Sequence, residues 1–514
     1  MLRCLIALTA LTCTLSAQVS LQRLGSYESG VFDESAAEIA AYHAPTERLY
    51  VVNGDLNGLD VISLADPTAP GLLFHVDLSA LGSGVQSVAV SSRLRTVAVA
   101  VAADVSTDDG FVALLDLDGN LRNTLSVGAL PDMLTFAPDN TTLLVANEGE
   151  PNDDYSIDPE GSVSIIDLSM GVASATQGNV QTVDFTSLNA TVTGDLRVFG
   201  PNATVAQDLE PEYITTARGS NLCWVSLQEN NALAIIDWTT ATLLDVVSLG
   251  RKDHTLDGNG LDASDKDDAI HIANWPLQGL YMPDAIASVR TAAGIFILSA
   301  NEGDAREYDT FEEEIEVEDA DLDPTVFPNA AELQQDETLG SLAVSITGDI
   351  DGDGDLDRLE SYGARSMSVW DAMGNLVWDS GDLFERIVAE RFPEHFNSTN
   401  DDNDSFDNRS DNKGPEPEGV TVGQVFGKQV AFVGLERMGG IMLLDVSDPT
   451  DPIFLDYVLD RDFSGDPEAG TGGDLGPEGL VFVSAARSPN GHPLLIVSNE
   501  VSGNTAIYQV VETR

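Results

Sequence analysis

Short apolar runs that stop abruptly at an acidic phrase recur along this chain. The clearest, GIFILSANEGDARE at Gly294 to Glu307, sets an apolar stretch directly against Asn301, Glu302, Gly303 and Asp304, as a buried strand does on meeting a carboxylate-bearing loop. The phrase returns as LLVANEGEPND from Leu143 and LLIVSNEVSGN from Leu494, more weakly from Leu49 and Cys223, and in degenerate form from Val97 and Val430. Seven copies with variable spacing predict a radial repeat fold. Within each copy the pattern predicts four strands: one opening near an acidic residue, one ending in the Asn-Glu phrase, a third such as GSVSIIDL, and a more polar fourth.

The seventh copy has no fourth strand before Arg514, while VSLQRLG at Val19 to Gly25 precedes the first copy and has the outer-strand pattern. The expected fold is therefore all-β, a seven-bladed β-propeller closed by an N-terminal outer strand, which leaves no free edge between blades. Seven blades of about 40 to 50 residues need roughly 320 residues. The excess is assigned to insertions at 185–209, 251–282, 302–365 and 383–415, inside a single domain spanning 18–514.

Composition narrows the partners. With 85 Asp plus Glu against 24 Lys plus Arg, the formal charge is -61, which repels nucleic acid and anionic lipid and attracts cations. Neither nucleic acid nor membrane insertion is expected, and the oligomeric state is left open. Met1 to Ala17 has the layout of a secretory signal peptide, so the mature chain is expected to be secreted, extracellular or periplasmic, with Cys223 its one cysteine, buried in a strand.

Two stretches carry candidate chemistry. DIDGDGDLDRLE fits a twelve-residue calcium loop: Asp349, Asp351 and Asp353 stand at positions 1, 3 and 5, Gly354 at 6, Asp357 at 9 and Glu360 at 12, with Asp355 offering its carbonyl. Calcium takes six to eight oxygens, and alternating carboxylates supply them. The other candidate is assembled by the fold. The first strands open at Glu38, Asp132, Glu212, Asp284, Glu418 and Glu478, which would converge on one mouth of a central channel, with Glu148, Glu229, Glu302, Glu436 and Glu500 in an arc around them. So many like charges disfavour ionisation unless cations or arginines intervene. Arg306, Arg437 and Arg365 are placed to do so. The alternative is a set of solvated carboxylates capping backbone amides. A third acidic patch, Asp257 to Pro276, includes Asp262, Asp265, Asp267 and Asp268 as weaker cation ligands, with Asn274 and Trp275 expected to pack over the channel. No nucleophile elbow, phosphate-cradling loop or paired-cysteine motif occurs.

The long phrases VANEGEPNDDYSIDPEGSVSIID, LDASDKDDAIHIANWPLQGLYMPDAIA, SANEGDAREYD, GDIDGDGDLDRLESYGARSMSVWD and FDNRSDNKGPEPEGV resemble the choice-of-anchor I family of secreted propeller proteins. That group includes mesenchyme-specific cell-surface glycoproteins linked to biomineralisation, and many bacterial members carry the label alkaline phosphatase. The resemblance implies a calcium-rich extracellular propeller, with a C-terminal anchor as the family habit; here the last strand is followed directly by Val511 to Arg514. Two functions are expected to compete. One is a calcium-binding scaffold or binding protein whose partner is a matrix component. The other is a calcium-dependent phosphoesterase acting on a phosphorylated small molecule, with calcium on Glu148, Glu302, Asp304, Glu418 and Glu478, and with Arg306 and Arg437 holding phosphate oxygens.

Overall fold

Among the described residues, seven four-stranded antiparallel sheets stand in sequence order around one axis. The computed structural model describes residues 18–190 and 196–513, so the expected signal peptide lies outside the described residues. Blade 1 runs Ala40–His43, Arg48–Asn53, Gly58–Ser63 and Gly71–Asp77, and each later blade repeats that order. The first strand of each blade packs against the first strand of the next, and that of blade 7 against that of blade 1, so the first strands form a continuous inner ring.

The apolar alternation in the sequence explains the packing. Second and third strands are buried on both faces, and their side chains interlock with those of the neighbouring blade. Tyr50, Val52, Leu59 and Val61 of blade 1 meet Val97, Val99 and Val101 of blade 2, and similar clusters fill every other junction around the ring. Cys223 belongs to one of them, and burial pushes its thiol up to about 12. It is a core residue.

Blade 7 is completed as expected. Its outer strand is Gln18–Glu28, antiparallel to Asn504–Thr513, so the two ends of the described chain share one sheet. Val19 is 1% exposed and packs with Val430, Phe432 and Leu495 between blades 6 and 7. Val19→Asp is therefore expected to forfeit about 1.5–3 kcal/mol of apolar burial, before the cost of burying a carboxylate. A thermal melt checks this; a melting temperature equal to the parent's would show that the last sheet does not depend on this strand.

The insertions form structure of their own that periodicity did not disclose. Segments from 251–282 and 302–365 build a five-stranded accessory sheet around Leu261, Val317, Leu339, Leu342 and Val344. Trp275 joins that core, and its indole donates to the Leu261 carbonyl at 3.1 Å, so it does not cover the channel as the sequence suggested. The helix Leu383–Arg391 packs Phe384 and Val388 between blades 5 and 6. No helix among the described residues is long and apolar enough to cross a membrane.

Candidate functional site

The Asn of each Asn-Glu phrase ends its strand buried, and its amide ties the second strand to the third. Asn147 Nδ2 donates to Ser162 Oγ and Ser164 Oγ at 3.2 and 3.0 Å, and Asn301 Nδ2 to Ser366 Oγ and Ser368 Oγ at 3.1 and 2.7 Å. The following Glu therefore leaves the sheet from a fixed point. At Glu302 the point is tighter still. Gly303 (φ +92) and Gly363 (φ +66) lie back to back where the 302–365 insertion departs and returns, and a Cβ on Gly363 would meet the Glu302 carbonyl at 1.9 Å. Only glycine permits that approach.

Residues of all seven blades line one cavity of about 270 Å³ on the propeller axis. Ten of them are carboxylates and none is basic: Asp132, Glu148, Glu150, Glu212, Glu229, Asp284, Glu302, Asp304, Glu418 and Glu478. Blade 2 contributes Gln86 where the other blades place an acid. Glu148, Glu212 and Glu229 each bring an oxygen within 4.8 Å of the other two, as do Asp284, Glu302 and Glu418, and Glu302 with Glu416 and Glu436. One oxygen each of Glu212, Glu229, Glu418 and Glu478 is buried with no hydrogen-bond donor.

The electrostatics follow from that crowding. Burial, then Glu150 and Glu229, push Asp132 up to about 7. Burial, against the pull of Lys413, holds Glu302 near 7, and burial with Glu229 does the same for Glu150. Glu38, which does not line the cavity, is also raised to about 7, first by burial and then by Glu500 and Asp132. Glu148, Glu212, Asp284, Glu418 and Glu478 are held well above the usual carboxylate range, again by burial first and their acidic neighbours second. Glu500 and Glu436, expected in the outer arc, are likewise raised by burial, but Glu436 is occupied by Arg437 at 3.2 Å and Asn400 at 2.9 Å.

The arginines behave differently from expectation. Arg306 is 3% exposed and its guanidinium pairs with Asp208 and with Glu210 at 2.6 Å, so two buried carboxylates already occupy the group that the sequence reading assigned to phosphate oxygens. Arg365 is engaged with Glu385 away from the axis, at 2.7 Å. Arg437 does stand by the arc, paired with Glu416 at 3.0 Å. The cation nearest the acids is Lys413, whose Nζ lies 3.4 Å from Glu302, 3.6 Å from Asp304 and 3.5 Å from Glu416. Burial alone would raise Glu416, but Lys413, Arg409 and Arg437 outweigh it and hold the carboxyl down at about 2.

The twelve-residue loop is divided. Asp349, Asp351 and Asp353 bring oxygens within 4.8 Å of one another, while Asp355 and Asp357 group with Asp323 from outside the loop. Asp349 accepts from the amides of Gly352 and Gly354 at 2.7 and 3.1 Å, which curls the first half. Glu360, the expected twelfth ligand, opens the strand Glu360–Ser361 in the accessory sheet and is buried against Arg251 and Arg358, the latter at 2.6 Å. Those two guanidiniums compensate its charge and withdraw it from the loop.

The model of the choice-of-anchor I domain matches residues 38–449, most of the chain, from blade 1 through the third strand of blade 6. The chain belongs to the choice-of-anchor I family. Among its relatives are gigasin-3a of Magallana gigas, 32% identical over 194 residues (35% of this chain, 66% of that protein), and the mesenchyme-specific cell surface glycoprotein of Strongylocentrotus purpuratus, 29% identical over 293 residues (50% of this chain). The match spans only 37% of the sea-urchin protein, and just under two thirds of gigasin-3a. Solved structures of similar shape include hydrazine synthase of Kuenenia stuttgartiensis (TM-score 0.47, 12% identity, 95% of this chain and 99% of that one) and streptogramin B lyase (TM-score 0.47, 9% identity, 96% and 98%).

Within this choice-of-anchor I domain, the acids that sequence reasoning overlooked are Glu150, Glu210 and Glu416, together with the cation Lys413. A signal was present. The doublets Glu148-Gly149-Glu150, Glu210-Pro211-Glu212 and Glu416-Pro417-Glu418 each place two acids at one entry to the ring. In the first doublet both acids line the axial cavity; in the other two Glu212 and Glu418 line it while Glu210 pairs with Arg306 and Glu416 with Arg409 and Arg437.

Proposed function

We propose that this chain is a calcium-binding β-propeller acting as an extracellular or cell-surface binding or scaffold protein. Family membership and the propeller fold support a secreted binding or scaffold protein. One observation carries the calcium: ten carboxylates on a single axial cavity without a basic lining residue, four of them with a buried oxygen that no donor meets. An oxygen-only donor set of this kind suits a hard divalent cation, and its irregular spacing suits calcium over magnesium. Glu148, Glu212 and Glu229 would hold one ion and Asp284, Glu302 and Glu418 another. The name of the sea-urchin relative supports the surface location.

A second reading is a calcium-dependent phosphoesterase. It is favoured by a further cavity of about 440 Å³ that shares Glu150, Glu229 and Asp304 with the axial one and adds Arg409, Lys413 and Tyr308, a mixed lining able to receive an anion beside the acids. Bound calcium would there supply Lewis acidity and an activated water.

One pair of measurements tests both. Calorimetric titration of the chelator-treated chain is expected to show saturable calcium binding that Glu418→Gln weakens about tenfold or more, and no turnover of a phosphomonoester panel in saturating calcium. Absence of saturable binding at millimolar calcium overturns the proposal. Turnover lost in Glu302→Gln with calcium loading intact would favour the enzyme.

A further inference from the structure

Away from the axis, two insertions meet over a second set of buried acids. The 251–282 segment brings Asp262 and the 383–415 segment brings Asn397, Asp407 and Ser410. Asp262, Asn397 and Asp407 are 0, 0 and 1% exposed. Each keeps one side-chain oxygen without a hydrogen-bond donor: Asp262 Oδ1, Asn397 Oδ1 and Asp407 Oδ2. Buried polar atoms are nearly always met, so three such oxygens in one place require an explanation.

One continuous hydrogen-bonded chain holds them together. Glu385 accepts from the Asp262 amide at 3.1 Å and from Asn397 Nδ2 at 3.1 Å. Asn397 Nδ2 also donates to Ser410 Oγ at 2.9 Å, and Ser410 Oγ donates to Asp407 Oδ1 at 2.6 Å. Arg365 donates to Glu385 at 2.7 Å and to the carbonyls of Asp262 and Ser410 at 2.6 and 2.8 Å. Three consequences follow. Both donor contacts of the Asn397 amide are on the Glu385 and Ser410 side, which fixes its Oδ1 as the free atom. The one buried arginine of the hub is paired with Glu385; Asp262 accepts from the His271 amide on its other oxygen and feels Arg365 at longer range, and neither Asp262 nor Asp407 has an ion-pair partner of its own among the described residues. Asp407 is pushed up to about 8, by burial first and, among neighbouring charges that raise it, by Asp262 before Asp267 and Asp265.

We propose that Asp262, Asn397 and Asp407 ligate a calcium ion that fastens the 251–282 and 383–415 insertions to each other, a structural site independent of the axial cavity. Two carboxylates and an amide carbonyl are hard oxygen donors, and loop-borne ligands tolerate the irregular geometry that calcium accepts and magnesium does not. Asp267 borders the site; its carboxylate already accepts from the Ala269 amide at 2.8 Å.

Terbium(III), a luminescent stand-in for calcium, reads this site selectively, because Trp275 donates to the carbonyl of Leu261, next to Asp262. In the chelator-treated full chain, tryptophan-excited terbium emission is expected to be displaced by calcium, to fall severalfold in both Trp275→Phe and Asp407→Asn, and to persist in the axial variant Glu418→Gln. Calcium is further expected to slow proteolysis within 397–413 in the parent and in Glu418→Gln, and not in Asp407→Asn. Emission that survives both Trp275→Phe and Asp407→Asn, or cleavage of 397–413 that is indifferent to calcium in the parent, overturns the site. Trp275→Phe leaves the ligands in place, so the first arm stands even where Asp407→Asn fails to fold. Emission and protection lost in Glu418→Gln while both survive in Asp407→Asn would place the ion on the axis and overturn this site.

Discussion

Stripping calcium from the folded chain is expected to lower its melting temperature far more at pH 8 than at pH 5. Without cations, Asp132, Glu150 and Glu302 titrate near 7 in the folded chain against ordinary values of 3.8, 4.5 and 4.5. Between those limits the folded state binds more protons than the unfolded one. The stability these groups lend the metal-free chain is therefore complete below about pH 4 and is lost as pH rises through 7. Glu416 has the opposite sign: held near 2, its contribution is present above about 4.5 and disappears only as pH falls through 2, so it adds nothing to the change from pH 5 to pH 8.

Calcium bound as proposed would reverse the trend, because it would compete with those protons for the same oxygens and bind more tightly as they leave. Each ion at a hundredfold excess over its Kd adds about 2.7 kcal/mol to the folded state. Replacing Glu212, Glu418 and Glu478 together by Gln keeps the shape and removes three like charges. That variant is expected to melt higher than the metal-free parent at pH 8 and to lose the axial part of the calcium response, keeping only what the Asp262–Asp407 site supplies. Scanning calorimetry at the two pH values, with chelator and with calcium, decides the matter. Identical parent melts in all four conditions would remove the axial cavity from consideration as a cation site.

The parts of the molecule that could be read from sequence are those that repeat. Apolar strands with an Asn-Glu terminus specify blade and register, since a slip would break the amide ties of the buried Asn and drive the Glu into the apolar sheet. Hence the ring, the closing strand Gln18–Glu28 and, except for Glu150, the acids at the axis were legible. What was not legible occurs once. The accessory sheet joins segments more than fifty residues apart, including the parallel pairing of Gln278–Leu280 with Glu360–Ser361, and no period marks such contacts. Glu360 and Arg306 were misassigned for the same reason. A local motif specifies which residues are near in sequence, whereas their partners, Arg251 for Glu360 and Asp208 with Glu210 for Arg306, come from other insertions and blades.

Arg306→Ala is expected to destabilise the chain by about 3–5 kcal/mol, the usual consequence of removing one partner from a buried ion network. Asp208 and Glu210 are 1 and 2% exposed, and both carboxylates would be left facing each other without a cation. Packing is lost as well: the guanidinium lies over the Phe199 ring at 4.6 Å, with Arg197 over the same ring at 4.4 Å. Burial and the acids around it already hold Glu210 well above the usual carboxylate range even with Arg306 present, so its removal would leave Glu210 protonated or the 185–209 segment undocked. The triple replacement Arg306→Met, Asp208→Asn and Glu210→Gln removes charge from every member at similar volume and is expected to recover most of the loss, because a neutral set carries no uncompensated ion. A phosphate-holding arginine would behave in the reverse manner: its truncation would spare stability and raise the KM for a phosphoester, and neutralising Asp208 and Glu210 would rescue nothing. Urea unfolding of the parent, Arg306→Ala and the triple variant separates the two. An Arg306→Ala midpoint matching the parent's would return this arginine to the candidate substrate-binding groups.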